Sequence, residues 1–157
     1  MAGIEGTFSE RFSVRAPLDR TREAFADPAR VAAHYGKLDR FELREPGTVR
    51  FWLPDYSYGI TRFAGRYTCQ YQVMDPATVR WHTLPEDHNM VSEGTARFSA
   101  GPAGSTVMAY QAHLVLDLDV NRILRATIAP FAARAIADEM RAYVQRMIAS
   151  VEADAAV

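Results

Sequence analysis

Apolar and polar side chains alternate along much of the first two thirds of this chain, a pattern that predicts β-strands. In residues 7–14 the apolar side chains share one face, and Glu10 is the charged residue among them. The stretch GITRFAGRYTCQYQVMD, residues 59–75, contains no proline and has aromatic or small residues at the odd positions from Phe63 to Val73. It predicts one long strand with an aromatic face.

Only residues 16–36 interrupt this strand pattern, with the sequence APLDRTREAFADPARVAAHYG. Its central Asp27-Pro28 pair predicts the end of one short helix and the start of a second. Beyond this stretch, short turns such as 45–47 and 101–104 connect successive strand patterns. Short turns join antiparallel neighbours, so the pattern predicts an antiparallel sheet of about six to seven strands. It excludes a parallel, doubly wound sheet.

Residues 121–151 have the period of an α-helix, with apolar side chains every three or four positions. Pro130 lies inside this pattern and predicts either a kink or a short first segment separate from the main helix. A chain of 157 residues is one domain by length. We therefore expect a single α+β domain, 1–157, in which a long C-terminal helix packs against the sheet.

Charge, cysteine content and apolar run length limit which partners the chain can bind and where in the cell it works. The chain has 18 basic and 19 acidic side chains, a formal net charge of -1, so no electrostatic footprint for nucleic acid or an anionic membrane is present. Cys69 is the single cysteine, which excludes an internal disulfide and is typical of a reducing compartment. No apolar run approaches the roughly 20 residues that span a bilayer. We expect a cytoplasmic protein without membrane insertion.

The order of these elements resembles the START-like superfamily (SRPBCC), which includes polyketide cyclase/dehydratase and lipid-transport proteins. The segments that carry the resemblance are FSVRAPLDRTREAFADPARVAAHYG and ILRATIAPFAARAIADEMRAYVQRMIASVE, and it covers essentially the whole chain. It implies the helix-grip fold, a curved antiparallel sheet wrapped around the C-terminal helix. Because the superfamily shares no catalytic residues, the resemblance implies a cavity but no particular chemistry.

A curved sheet around one helix leaves a hollow unless bulky side chains fill it, and apolar hollows are usual ligand sites. Tyrosines in such a hollow bring hydroxyl groups that need partners when buried. The alternative is that the inward aromatic residues simply fill the core. We predict that the ligand-binding side chains are Phe51, Phe63, Tyr67, Tyr71, Trp81, Phe98 and Tyr110 from the sheet and Phe131, Met140 and Tyr143 from the helix, with Phe41 also inward.

Two residues are candidates for acid–base catalysis. Glu10 shares a face with apolar residues, and a carboxylate in an apolar hollow has a raised pKa. The alternative, which we favour, is that it lies near the sheet end, reaches water or pairs with an arginine. His34 lies at the end of the second helix, where the resemblance implies a pocket mouth. The alternative, which we favour, is a surface histidine that is favourable at a helix C-terminus. No histidine pair has metal-binding spacing and no nucleotide-binding glycine loop is present, so we predict neither a metal nor a cofactor.

Two further features concern access and assembly. Trp52 alternates out of phase with Phe51 and Leu53, so we expect it on the outer face, where it could mark a homodimer contact or a flexible lid. The segment LPDYSYGI, residues 53–60, joins two strands and is a candidate entrance loop.

Three functions are consistent with these observations. The first is the binding or carriage of a small hydrophobic molecule such as a lipid, polyketide, isoprenoid or aromatic metabolite. The second is an enzyme of the cyclase/dehydratase kind, in which pocket groups position a reactive chain and transfer protons. The third is a protein-interaction module with a filled core.

Overall fold

The computed structural model describes residues 3–58 and 61–157 and has the predicted α+β architecture. Two short helices follow the first strand, and one long helix ends the chain, as expected. The elements of the described residues are β1 (Ile4–Val14), α1 (Leu18–Ala26), α2 (Pro28–His34), β2 (Arg40–Leu43), β3 (Thr48–Trp52), β4 (Tyr56–Tyr58), β5 (Thr61–Phe63), β6 (Arg66–Asp75), β7 (Thr78–Thr83), β8 (Met90–Ala100), β9 (Thr106–Leu116) and α3 (Arg122–Ala155).

Seven strands form one antiparallel sheet in the order β1-β9-β8-β7-β6-β3-β2. Strands β1 and β9 pair along their whole length, from Ile4 opposite Leu116 to Val14 opposite Thr106. A bulge between Val73 and Asp75 shifts the pairing of β6 with β7, and bulges bend the strands that contain them. The predicted helix-grip fold is confirmed, with the core between this sheet and α3.

The prediction of one long strand over 59–75 is wrong. The chain breaks at residues 64–65, so that β6 joins the main sheet while β5 pairs with β4 in a separate hairpin. At Gly65 the backbone comes so close to Met90 and Phe63 that a Cβ atom would collide with the Met90 sulfur. The alternation continues across this break, which is why the sequence pattern alone did not show it. Residues 59 and 60 lie outside the described residues.

Helices α2 and α3 each begin after a residue whose side chain caps the helix. The Asp27 side chain accepts a hydrogen bond from the Ala29 N–H (3.1 Å), and Pro28 occupies the first turn of α2. The Asn121 side chain accepts one from the Leu124 N–H (2.8 Å) at the start of α3. Pro130 lies within this one continuous helix, so no separate first segment forms.

A histidine bridges two carboxylates on the outer face of the sheet. His113 on β9 lies 3.0 Å from Glu5 on β1 (Nε2 to Oε2) and 3.3 Å from Glu93 on β8 (Nδ1 to Oε1). The hydrogen bond with Glu5, followed by the one with Glu93, raises the pKa of His113 above its usual 6.5. This contribution to stability is therefore fully present below about pH 6.5 and is lost as the pH rises through the higher folded-state pKa.

We expect His113→Gln to lower the free energy of unfolding at about pH 5.5 by roughly 0.2–1 kcal/mol, the range of exposed ion pairs, and to have less effect near pH 8.5. Urea denaturation at both pH values measures this difference. In a Glu5→Gln/Glu93→Gln background the cost of His113→Gln should no longer depend on pH. An equal cost at both pH values in the unmodified background would contradict the assignment.

Candidate ligand-binding cavity

The interior between the sheet and α3 is not completely filled. A cavity of about 430 Å³ lies there, within the size range of small-molecule sites. Its walls come from α2 and the loop after it, the β3–β4 loop, strands β5 to β9 and one face of α3. The filled core of the third functional hypothesis is therefore not the arrangement that this chain adopts.

Most of the side chains predicted to face a hollow do line this cavity. They share the inward positions of neighbouring strands or the sheet-facing side of α3, and they are Phe63, Tyr67, Tyr71, Trp81, Tyr110, Met140 and Tyr143. Since alternate residues of a strand point to the same face, the odd positions of β6 bring Tyr67 and Tyr71 to one wall.

Four aromatic residues of the predicted inward set lie elsewhere. Phe51 is fully buried behind the wall, with its ring centroid 4.6 Å from that of Tyr35 and 5.1 Å from that of Tyr67. Phe98 packs against Phe25 of α1. Two others are exposed, Phe41 to 45% and Phe131 to 71%.

The error at Phe131 comes from the choice of helix face. The buried residues of this part of α3 are Ile128, Ala132 and Ile136, which recur every four positions. Phe131 precedes Ala132 by one residue, a rotation of about 100° around the helix, which turns its ring away from the sheet. At Phe41 the cause is position, because β2 is the edge strand and all four of its residues are exposed.

Three stacked aromatic rings line one side of the cavity. Trp81 stacks on Tyr110 with 5.0 Å between ring centroids and on Tyr71 with 6.2 Å, at interplanar angles of 29° and 27°. Stacked rings offer a broad apolar surface that favours a planar or elongated hydrophobic ligand.

The tyrosine hydroxyls give this apolar cavity polar groups. The Tyr35 and Tyr67 hydroxyls are 2.6 Å apart and hydrogen-bonded to each other. In the part of the chain that the structure describes, the hydroxyls of Tyr110 and Tyr143 make no hydrogen bond to another protein group. Burial raises the pKa of Tyr67, Tyr71, Tyr110 and Tyr143. All four phenols therefore stay protonated at neutral pH and can donate hydrogen bonds.

Charged side chains line the mouth of the cavity rather than its floor. Lys37 and Arg146 are the basic residues there, and Asp55 and Glu139 are the acidic ones. The Arg146 Nε donates a hydrogen bond to the His34 carbonyl oxygen at the end of α2 (2.9 Å). This contact joins α3 to the loop that forms one lip of the mouth.

Neither candidate for acid–base catalysis reaches the cavity. Glu10 lies on the inward row of β1, but its Oε1 accepts hydrogen bonds from Nε and Nη2 of Arg141, both at 3.2 Å. The His34 ring contacts the Arg30 carbonyl oxygen within its own helix (Nδ1 to O, 2.9 Å), and only the His34 backbone contacts Arg146. Glu10 is therefore paired with an arginine, and His34 is a histidine at the end of a helix.

Sequence reasoning missed two residues of the mouth. Arg146 follows Glu139 by seven positions and Tyr143 by three, so all three side chains lie on one face of the helix. This spacing could have identified Arg146 as a residue of the cavity. Tyr35 directly follows α2 and lies outside any strand or helix pattern, so the sequence did not indicate that it faces the cavity. The segment 53–56 of the predicted entrance loop does line the cavity, whereas residues 59 and 60 lie outside the described residues.

Trp52 lies on the outer side of the sheet and is half-buried there. The guanidinium groups of Arg40 and Arg50 lie 3.9 and 5.1 Å from its ring centroid. These contacts within one chain account for a tryptophan on the outer face of the sheet. A homodimer contact at Trp52 remains a prediction.

Two structural features are absent from residues 3–58 and 61–157. Within these ranges no cluster of three or more His, Cys, Asp or Glu side chains has an arrangement suited to a metal ion. Within the same ranges no helix is both long enough and apolar enough to cross a membrane.

The helix-grip fold of this chain is shared with several solved structures. The chain is similar to the protein TTHA0849 of Thermus thermophilus, with a TM-score of 0.71 and 14% identity over 94% of this chain and 98% of that one. It is also similar to the Zhui aromatase/cyclase of a Streptomyces species, with a TM-score of 0.66 and 18% identity over 94% of each chain.

A third similar structure is the two-domain aromatase/cyclase StfQ of the steffimycin biosynthetic pathway, with a TM-score of 0.66 and 13% identity. The match covers 98% of this chain and 53% of StfQ. No protein-family model matches the sequence, and no curated protein matches it. At these identities the likeness establishes the shared fold.

Proposed function

We propose that this protein binds a small, mostly hydrophobic molecule in the cavity between the sheet and α3. The observation that supports this most strongly is a space of about 430 Å³ that is lined by stacked aromatic rings, with the phenol groups of Tyr110 and Tyr143 unpaired by protein in the described part of the chain. Neutral phenols donate hydrogen bonds to carbonyl or hydroxyl oxygens. The ligand class that fits is a lipid, polyketide, isoprenoid or aromatic metabolite that carries such oxygens.

Burial of apolar surface supplies the driving force. Each Å² of apolar surface removed from water contributes about 25 cal/mol, from which the entropy cost of association must be subtracted. Each neutral hydrogen bond to a phenol adds roughly 0.5–1.5 kcal/mol and fixes the orientation of the ligand.

A second candidate function is catalysis of the cyclase/dehydratase kind. The similarity to two aromatase/cyclases favours it, together with protonated phenols that could stabilise negative charge developing on a substrate oxygen. The two functions differ in what happens to the natural ligand. A carrier releases it unchanged after incubation, whereas an enzyme converts it to a product of different mass or bonding.

A fluorescent probe tests the proposal without knowledge of the natural ligand. We expect the neutral aromatic amide anthracene-2-carboxamide to bind in a 1:1 ratio, because its apolar ring system can pack against the aromatic side chains that line the cavity, among them Trp81 and Tyr110. The fluorescence anisotropy of the probe should rise to saturation as protein is added, and saturating probe should raise the Tm of the protein. Unchanged anisotropy in the presence of folded protein would contradict the proposal.

A further inference from the structure

The first turns of α3 expose a largely apolar face. Ile123 is 81% exposed and Phe131 is 71% exposed, although both are large hydrophobic side chains. The exposed residues of these turns lie within about half of the helix circumference and form the α3 patch: Arg122, Ile123, Ala126, Thr127, Pro130, Phe131 and Arg134. Apolar side chains gathered in one exposed patch, unlike scattered single ones, mark an interaction site.

The one hydroxyl group of the α3 patch is already satisfied within the helix. The Thr127 hydroxyl donates a hydrogen bond to the Ile123 carbonyl oxygen (3.1 Å), which leaves its methyl group for contact with a partner. Arg122 and Arg134 stand at the two ends of the patch, about 18 Å apart along the helix axis. A partner of this patch therefore meets an apolar centre between two cations.

All of the charge in this region is positive. Residues 120–137 contain three arginines and none of the 19 acidic side chains, an uneven distribution that the formal net charge of -1 for the whole chain conceals. Asp138, the next carboxylate along α3, pairs with Arg141. Among the described residues, Arg122 and Arg134 form no ion pair with any carboxylate.

This charge pattern argues against a second copy of the chain as the partner. In a symmetric contact the same patch of each chain meets the other, so the arginines of the two copies would lie close together and repel. The charge of the α3 patch is complementary to an anionic surface instead.

The size of the α3 patch favours a membrane over an acidic protein. A stable protein interface uses roughly 20–30 residues of each partner, whereas this patch has seven. A bilayer surface needs no closed complementary site. A helix binds it by placing apolar side chains among the lipid headgroups while its basic side chains attract anionic lipids.

We propose that the α3 patch docks this protein on the surface of an anionic phospholipid bilayer. Ile123 and Phe131 enter the boundary between headgroups and acyl chains, and Arg122 and Arg134 contact anionic headgroups. The helix lies on the surface and does not cross it. Ala135, which lines the cavity, follows Phe131 by about one turn, so the docked surface adjoins the cavity.

Sedimentation with sucrose-loaded vesicles tests this docking. We expect the wild-type protein to sediment with phosphatidylcholine vesicles that contain about 30% phosphatidylglycerol and to stay largely in solution with pure phosphatidylcholine, because each arginine near an anionic surface contributes about fivefold in affinity. Raising the salt concentration from about 0.1 M to about 1 M should release most of the bound protein, since the Debye length falls from about 10 Å to about 3 Å.

Phe131→Ala should weaken binding to the anionic vesicles about tenfold, because it removes the largest apolar side chain of the patch. Phe41→Ala is the matched control, since it makes the same chemical change at an exposed phenylalanine on the edge strand β2. It should leave vesicle binding within about twofold of wild type.

The double variant Arg122→Gln/Arg134→Gln should weaken binding to anionic vesicles by about tenfold or more. Arg11→Gln/Arg97→Gln removes the same charge from the outer face of the sheet, where both arginines lie beside Ala109, and should weaken it by less than about threefold. None of these four arginines lines the cavity, so both variants should bind anthracene-2-carboxamide as wild type does. Vesicle docking and the proposed binding function are thus measured separately.

Equal vesicle binding in the patch variants and their controls, or equal binding of wild type to neutral and anionic vesicles, would overturn the membrane inference. So would a folded wild-type protein that binds neither vesicle. A dimer in analytical ultracentrifugation that Phe131→Ala dissociates would overturn it as well and would assign the α3 patch to a second copy of the chain.

Discussion

Replacing Phe51 by alanine is expected to lower the free energy of unfolding by about 3–5 kcal/mol, the usual cost of removing a buried phenyl ring. Phe51 has 0% exposure and packs against the rings of Tyr35 and Tyr67. Its loss would leave a void directly behind the cavity wall, and close-packed neighbours can only partly relax into such a void. Equilibrium denaturation with guanidinium chloride measures the change.

Phe131→Ala is the matched control, because it makes the same chemical change at a residue that the sequence also predicted to face inward. With 71% of Phe131 exposed, we expect its replacement to alter stability by no more than about 0.5 kcal/mol. Similar losses in the two variants would mean that the packing described for one of these rings is wrong.

Ala112→Phe is expected to abolish measurable binding of anthracene-2-carboxamide, or to weaken it by at least about tenfold. Ala112 lies on β9, opposite Phe8 of β1 and Gly94 of β8, and its side chain faces the cavity. A phenyl ring there would occupy space that the ligand needs. Since the ring enters an existing cavity instead of a filled core, we expect the Tm to change little.

The control for this variant lies on the same strand. Ala109 is three positions from Ala112, so it points to the opposite face of the sheet, away from the cavity. Ala109→Phe should leave the affinity for the probe within about twofold of wild type. Equal affinities in wild type and Ala112→Phe would place the probe elsewhere on the molecule.

The sequence predicted the element order well because alternation and helical period are local properties. The two short helices, for example, follow from Asp27 and Pro28, whose capping roles involve only neighbouring residues. The break at residues 64–65 was missed because it depends on contact with Met90, which belongs to a strand 25 residues later along the chain. Similarly, the direction of Glu10 was predictable, but its partner Arg141 is 131 residues away.

The cavity itself was predictable only in part. Alternation identified Tyr67, Tyr71 and Tyr110, since a strand has two faces and the aromatic one is inward. Arg146 was missed because a charged residue on a helix is usually solvated. Its role depends on the three-dimensional approach of α2, which places the His34 carbonyl oxygen 2.9 Å from its Nε.

Native mass spectrometry of protein purified from its own cells tests most directly whether the cavity exists to hold a hydrophobic molecule. Wild-type protein should carry a small molecule in a 1:1 ratio that organic solvent releases, and Ala112→Phe expressed in the same cells should carry none. A wild-type protein that is always free of such a molecule, or an adduct that persists equally in Ala112→Phe, would contradict the account.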